Sequence, residues 1–289
     1  MNEDKNEPPI VWHYTKMEVL EKIFPPKILK NGKKNEDYKN GKITFRLTNV
    51  RFLSDPSEGL VFKKKFEEGI NKISEHLPNI PKSFKNFISK IKFNKDLLNI
   101  DNKYIFSASY LEDSFGFWNK EYAGLDGIAI GIKNLDLYLK KRGEKIFGLY
   151  FDDVVYVEEE LIKGIIAYIY AKGSAYGNAK ELINNITKGS SCIFKHYSWR
   201  NEKEVRIVVD SEKEKELDID SRIEFNGNKI KKFLYIKLNK NIISYIMLGP
   251  ACNEEEVNAV KDYLKHNGYG EIPILKSHAF DLKYSDFKG

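Results

Sequence analysis

The chain has 289 residues, 42% hydrophobic, 31% charged and 13% aromatic, with a net charge of +6 and a pI near 8.9. That length supports a large core, and that apolar content excludes a disordered chain. The longest apolar stretch, residues 161–171, is broken by Lys163 and Gly164 and falls short of the ~20 residues a spanning helix needs.

Residues 10–14 read as a short strand, and Thr15 with Glu18 three positions later forms a capping box for a helix running to Phe24, where Pro25 and Pro26 stop it. A second strand is expected over 44–50. The turn Ser54-Asp55-Pro56-Ser57 follows, and then an amphipathic helix on which Leu60, Phe62, Phe66, Ile70, Ile73 and Leu77 recur at helical spacing. Residues 78–102 are lysine-rich and read as a helical insertion in a single domain spanning 1–289.

Nearly continuous apolar runs at 104–110 and 127–132 predict central strands. A strand is expected over 151–157, followed by a loose helical pattern over 158–186. Further strands are expected at 205–209, 232–238 and 243–248, and Asn253 with Glu256 opens a helix ending near Gly268. No regular strand–helix–strand rhythm emerges, so the fold class is α+β.

The segment 1–9 is acidic and polar, without the basic start and apolar run of a secretory signal, and this places the protein in the cytoplasm. Cys192 and Cys252 are far apart and have no partners at metal-ligand spacing, which suits free thiols and no metal. The positive charge is spread through the chain among glutamates. It reads as solvated background, with a nucleic-acid-processing role as the alternative.

Three clusters carry the candidate chemistry. Trp12-His13-Tyr14-Thr15 lies at a strand end, where scaffolds place functional groups and where a hydrogen-bonded helix entry is the plain alternative. In Phe106-Ser107-Ala108-Ser109-Tyr110 the two serines share a strand face, and Trp118 and Tyr122 share a helical face in the segment after it; the combination suits a planar ligand ring or simple aromatic packing. In Trp199 through Arg206, Glu204 and Arg206 share a face of an otherwise apolar strand. There they either pair or line a cleft. Each cluster holds one of the chain's three tryptophans, Trp12, Trp118 and Trp199, which suggests a shared aromatic-walled pocket.

These motifs, with Asp55-Pro56-Ser57-Glu58-Gly59, Gly127-Ile128-Ala129-Ile130-Gly131 and Gly249-Pro250 in the same order, resemble the bacterial domain-of-unknown-function 2971 family. That family is in turn similar to the ADP-ribosyltransferases. The resemblance implies a split, mostly antiparallel β core with peripheral helices and NAD held as substrate in the cleft. It implies an ADP-ribosyltransferase or NAD glycohydrolase acting on a protein or nucleic-acid acceptor, in the manner of a toxin or anti-phage effector. Glu204 and Glu202 would be the catalytic pair. Cofactor contacts would come from His13, Tyr14, Ser107, Ser109 and Arg206, with Tyr110, Trp118 and Tyr122 competing to stack on nicotinamide. The serine-x-serine and paired-glutamate motifs usually accompany an arginine on the first strand, whereas this chain has His13. A non-catalytic nucleotide- or protein-binding module with the same fold is the alternative.

Overall fold

The computed structural model describes residues 9–36, 38, 41–53, 61–76, 102–120, 122–133, 149–158, 161–164, 192–212, 219–226 and 229–279. Within them the protein is α+β, built on a mostly antiparallel sheet in the order β12-β11-β4-β1-β3-β2-β10-β9, with β8 paired to β3 and β5 to β8. The strands are β1 (Val11–Thr15), β2 (Lys42–Asn49), β3 (Lys103–Ser109), β4 (Ile128–Ile132), β5 (Leu149–Asp153), β8 (Glu204–Asp210), β9 (Ile219–Asn226), β10 (Lys229–Asn239), β11 (Ile243–Leu248) and β12 (Ile274–Lys276). A separate two-stranded parallel pair, β6 (Val155–Val157) and β7 (Phe194–His196), lies off this sheet. The helices are α1 (Leu20–Ile23), α2 (Val61–His76) and α3 (Glu254–His266). Among the described residues no helix is long and apolar enough to cross a membrane.

One face of the large sheet carries the main core. Phe45, Phe106, Ile130, Val205, Ile207 and Leu234 alternate inward along their strands and meet Leu20 and Ile23 of α1 and Val260 and Leu264 of α3. The capping box at α3 forms as the sequence predicts: Asn253 Oδ1 accepts from the Glu256 amide at 2.9 Å, and Glu256 Oε2 accepts from the Asn253 amide at 2.8 Å. Asn253→Ala is expected to cost roughly 0.5–2 kcal/mol, read as a lowered denaturation midpoint at unchanged slope.

The capping box expected at Thr15 and Glu18 does not form. β1 runs through Thr15, and a 3-10 turn at Met17–Val19 begins after Lys16 with no side-chain cap. Thr15 is still paired with Ile128 of β4, which holds it in the ladder. The strand expected over 151–157 is two strands in two sheets, β5 and β6, broken at Val154. The Val154 amide bonds the Glu204 carbonyl at 2.9 Å, whereas the next residue, Val155, already bonds Ile193 at 2.9 Å. The expected helical face for Trp118 and Tyr122 is also corrected. Phe115–Trp118 is a 3-10 turn followed by tight turns, with Gly124 at φ +81°. Strands β7, β9 and β12 were not anticipated. The expected turn at 54–57 and the insertion, apart from Asn102, lie outside the described residues, as does the helical pattern over 158–186 beyond its start and the helical turn at 161–164.

The sheet forks along β3. β8 occupies one edge from Lys103 to Ser109 without a break. On the other edge β2 holds Tyr104 and Ile105, whereas β1 holds Ser109. Two limbs therefore diverge from one strand, β2-β10-β9 and β1-β4-β11-β12, with Ser107 at the apex between them.

Candidate functional site

On the face opposite the main core, β3 and β8 set polar side chains in register. Ser107 pairs with Arg206 and Ser109 with Glu204, and directly opposed residues in an antiparallel ladder project to the same side. Glu204 is 6% exposed and Arg206 1%. The open alternative in the sequence is thereby resolved: these two pair. Arg206 Nε donates to Glu204 Oε1 at 2.6 Å and Nη2 to Oε2 at 3.0 Å, while Nη1 donates to the Cys192 carbonyl at 2.7 Å.

Lys195 on β7 completes the network. Its Nζ donates to Glu204 Oε2 at 2.9 Å and to Glu202 Oε2 at 2.5 Å. The Tyr122 hydroxyl donates to the other oxygen of Glu202, and the Tyr156 hydroxyl accepts from the Glu204 amide at 2.8 Å. Two carboxylates thus face two cations, the arrangement under which burial of charge is tolerated. Burial alone would raise the Glu204 carboxyl, but Arg206, then Lys195 and the Ser107 hydroxyl, outweigh it and hold it at about 2. Glu204 is therefore a fixed anion at neutral pH.

Local backbone brings Glu202 and Glu204 together although β8 begins only at Glu204. The 3-10 turn Tyr197–Glu202 ends at Lys203, whose left-handed φ of +42° reverses the chain between the two glutamates. Ser109 clamps this corner, its Oγ donating to the Glu202 carbonyl at 2.6 Å and accepting from the Leu111 amide at 3.0 Å. The Tyr110 amide bonds the Lys203 carbonyl at 3.1 Å. Ser109 is therefore engaged in backbone support, whereas Ser107 is exposed at the fork.

His13 is not brought to the same side. Trp12 is paired with Ser109, so Trp12 shares the Glu204 face and His13 projects to the other one. Its ring stacks on Phe106 at 4.2 Å, and Phe106 stacks on Phe45 at 4.5 Å. His13 Nδ1 lies 2.8 Å from the Ser107 carbonyl, and since a carbonyl only accepts, Nδ1 carries the proton. The imidazole thus fills the fork from the core side and caps a β3 carbonyl between the two diverging limbs.

Burial lowers the His13 pKa to about 4, against a smaller upward pull from the Ser107 hydrogen bond and with help from the positive charge of Arg46. The folded state binds its proton less well than the unfolded chain, where the value is near 6.5. The stabilisation is complete above about pH 6.5 and is lost as pH falls towards 4. His13→Gln, which can still donate to the Ser107 carbonyl, is expected to flatten that part of the pH–stability curve; parallel wild-type and variant curves from pH 7 to 4 would refute the assignment.

The aromatic candidates separate. Trp118 is fully buried, with its indole N–H donating to Asp113 Oδ1 at 2.8 Å, so it packs the interior and is not presented to a ligand. Tyr14 stacks on Phe117 at 4.6 Å, and its hydroxyl donates to the Leu111 carbonyl at 2.9 Å and accepts from the Ser114 amide at 3.1 Å. Burial pushes that hydroxyl up to about 12. Tyr122 packs edge-on to Phe117 at 5.1 Å and reaches Glu202. Tyr110 is 38% exposed, with its hydroxyl 2.7 Å from Asp153 Oδ1, and it is the most accessible of the four. The shared pocket of three tryptophans is also corrected. Trp12 and Trp118 belong to one buried cluster, whereas Trp199 is 37% exposed and stacks under Lys195 at 5.1 Å.

Three contributors lay outside the sequence reading: Lys195, Tyr156 and Arg46. Lys195 sits in a three-residue strand too short to show alternation. Arg46 was legible, since Thr44-Phe45-Arg46-Leu47-Thr48 alternates cleanly and places a cation on the polar face of β2. Among the described residues no group of three or more His, Cys, Asp or Glu is placed to hold a metal ion, and Cys192 and Cys252 are buried thiols outside any disulfide.

No curated protein and no solved structure matches the chain. Residues 117–207, from Phe117 behind Tyr14 through Lys195, Glu202, Glu204 and Arg206, match the model of a family described as a protein of unknown function (DUF2971), which supports the family resemblance over the segment that supplies both carboxylates and both cations of the buried network.

Proposed function

We propose that the protein consumes NAD, cleaving the nicotinamide–ribose bond and passing ADP-ribose to a macromolecular acceptor or to water. The observation that carries this reading is the apposition of Ser107 and Ser109 with Glu204 and Arg206 on one face of the β3–β8 ladder, at the strand where the sheet forks. The mostly antiparallel sheet and its fork along β3 support this reading. Cleavage of that bond develops positive charge on the ribose, and a carboxylate fixed as an anion stabilises it without reorganising. Glu204, held at about 2, has that property, and in this reading Glu202, two positions before it and held by Lys195 and Tyr122, orients or deprotonates the incoming nucleophile. Arg206 acts here as a positioning residue for Glu204, and His13 supports the fork through the Ser107 carbonyl.

The test is direct. Purified protein incubated with NAD is expected to release nicotinamide, alone or in the presence of protein and nucleic-acid acceptors. Absence of both binding and release with every acceptor would overturn the reading.

A second reading is a module of the same fold that binds a nucleotide or protein without turnover. It is favoured by the engagement of both Glu204 oxygens by Arg206 and Lys195, and by the projection of His13 away from Glu204. Thermal-shift titration separates the two, because a binder without chemistry is stabilised by NAD and ADP-ribose alike while releasing no nicotinamide.

A further inference from the structure

The fork has one wall that the chemistry at Glu204 does not use. β2 and β3 pair through Thr48 and Ile105, and carrying that antiparallel register two residues further sets Arg46 opposite Ser107, where the ladder has opened. Thr48 shares the side of Ile105, so Arg46 projects to the face that holds Ser107 and Glu204. Its side chain is 27% exposed.

The Arg46 guanidinium is steadied by stacking on Phe233 and by the Tyr235 hydroxyl, with the Glu224 carboxylate nearby. It lies 4.3 Å from the centre of the Phe233 ring and 3.8 Å from Glu224 Oε2, beyond hydrogen-bond reach. The other Glu224 oxygen takes the Tyr235 hydroxyl. Lys237, paired with Thr44, puts a second cation on the same face of this limb, diagonal to Arg46. Across the apex, among the described residues, Glu202 and Glu204 are matched by Lys195 and Arg206. The positive charge of Arg46 is also felt at His13 on the far side of the apex.

We propose that Arg46 is the anion-recognition residue of the fork and receives the diphosphate of the dinucleotide whose ribose is worked on at Glu204. The identity of the ligand rests on the NAD reading, whereas the anion chemistry rests on Arg46 itself. A planar guanidinium braced on an aromatic ring offers a phosphate two parallel N–H donors at small entropic cost. Ser107, exposed at the apex, keeps its hydroxyl on the Glu204 carboxylate, so the anion-binding donors on this wall come from Arg46. A ligand that lacks a diphosphate gains nothing from this wall, so Arg46 is a specificity-determining residue.

The experiment measures binding of NAD, ADP-ribose, nicotinamide riboside and inorganic pyrophosphate by calorimetry to the wild type, Arg46→Gln and Arg46→Lys. Arg46→Gln is expected to weaken the three diphosphate-bearing probes roughly 10- to 100-fold and to leave nicotinamide riboside unchanged, with Arg46→Lys in between. Melting temperatures on the same samples control for folding, and Arg46→Lys keeps the test decisive if Arg46→Gln is poorly folded. Equal affinity of wild type and both variants for NAD and pyrophosphate would overturn the role of Arg46 and leave the NAD reading standing. Pyrophosphate and ADP-ribose binding that depends on Arg46, without nicotinamide release, would sustain Arg46 and sink the NAD-consuming activity. A wild type that binds none of pyrophosphate, ADP-ribose and NAD would overturn both.

Discussion

Arg206→Met is expected to lower the melting temperature by on the order of 10 °C, because it leaves the Glu204 carboxylate buried without its bidentate partner. Removing one partner of a buried ion pair typically costs about 3–5 kcal/mol, and a protein of this size loses roughly 2–4 °C per kcal/mol. The figure applies here because both groups are almost wholly buried and the guanidinium donates to both Glu204 oxygens and to the Cys192 carbonyl. The last contact ties β8 to the segment just ahead of β7, so losing it also loosens the strand that supplies Lys195.

Arg206→Lys retains the charge and is still expected to lose most of the stability, since an ammonium on a shorter, non-planar head cannot bridge both Glu204 oxygens and Cys192 at once. The double variant Glu204→Leu with Arg206→Met removes both charges together and is expected to recover most of the loss. A buried pair replaced by apolar groups of similar volume is often neutral. Thermal and denaturant unfolding of the four proteins decides the matter. An Arg206→Met protein that melts within a degree or two of wild type would mean that water reaches Glu204 freely.

Where one periodicity persisted over five or more residues, the sequence was a good guide. β2, β8, β10 and β11 follow from alternation or continuous apolar runs, and α3 follows from its caps. The shared face of Ser107, Ser109, Glu204 and Arg206 was legible for the same reason, since two strands with period-2 side chains need only pair in register to bring those positions together. The failures have physical causes too. His13 was grouped with Glu204 on the strength of motif order, but motif order does not carry the parity of a strand register. One residue decides the face, and Trp12 opposite Ser109 turns His13 to the other side. Trp118 looked like a ligand platform because exposure cannot be read from residue type, whereas its indole N–H is satisfied inside by Asp113. Lys195 was hidden because its strand spans three residues and belongs to a separate two-stranded pair, off the sheet that carries Glu204. The fork itself leaves no local signature, since it arises from two strands competing for one edge of β3.

Glu204→Gln keeps nearly the same shape while removing the negative charge, and it is expected to separate the two functional readings. If the anion stabilises positive charge that exists only in the transition state, nicotinamide release should fall about 10²- to 10³-fold while NAD binding changes little. Gln keeps one carbonyl oxygen for Arg206 but presents an amide where Lys195 and the second guanidinium donor now find a carboxylate oxygen, so some stability is lost under either reading. The pH dependence identifies the structural share. Glu204 titrates near 4.5 in the unfolded chain and at about 2 in the folded protein, so its contribution is present above about pH 4.5 and disappears as pH falls towards 2. Glu204→Gln should lack that segment of acid destabilisation. If activity instead tracks only the folded fraction, with turnover per folded molecule equal to wild type, then Glu204 is a structural anion for Arg206 and Lys195, and the chemistry, if any, belongs to Glu202. A folded, NAD-binding variant with turnover reduced at least a hundredfold places the reaction at Glu204, because a purely structural carboxylate would move the melting temperature without moving the rate per folded molecule.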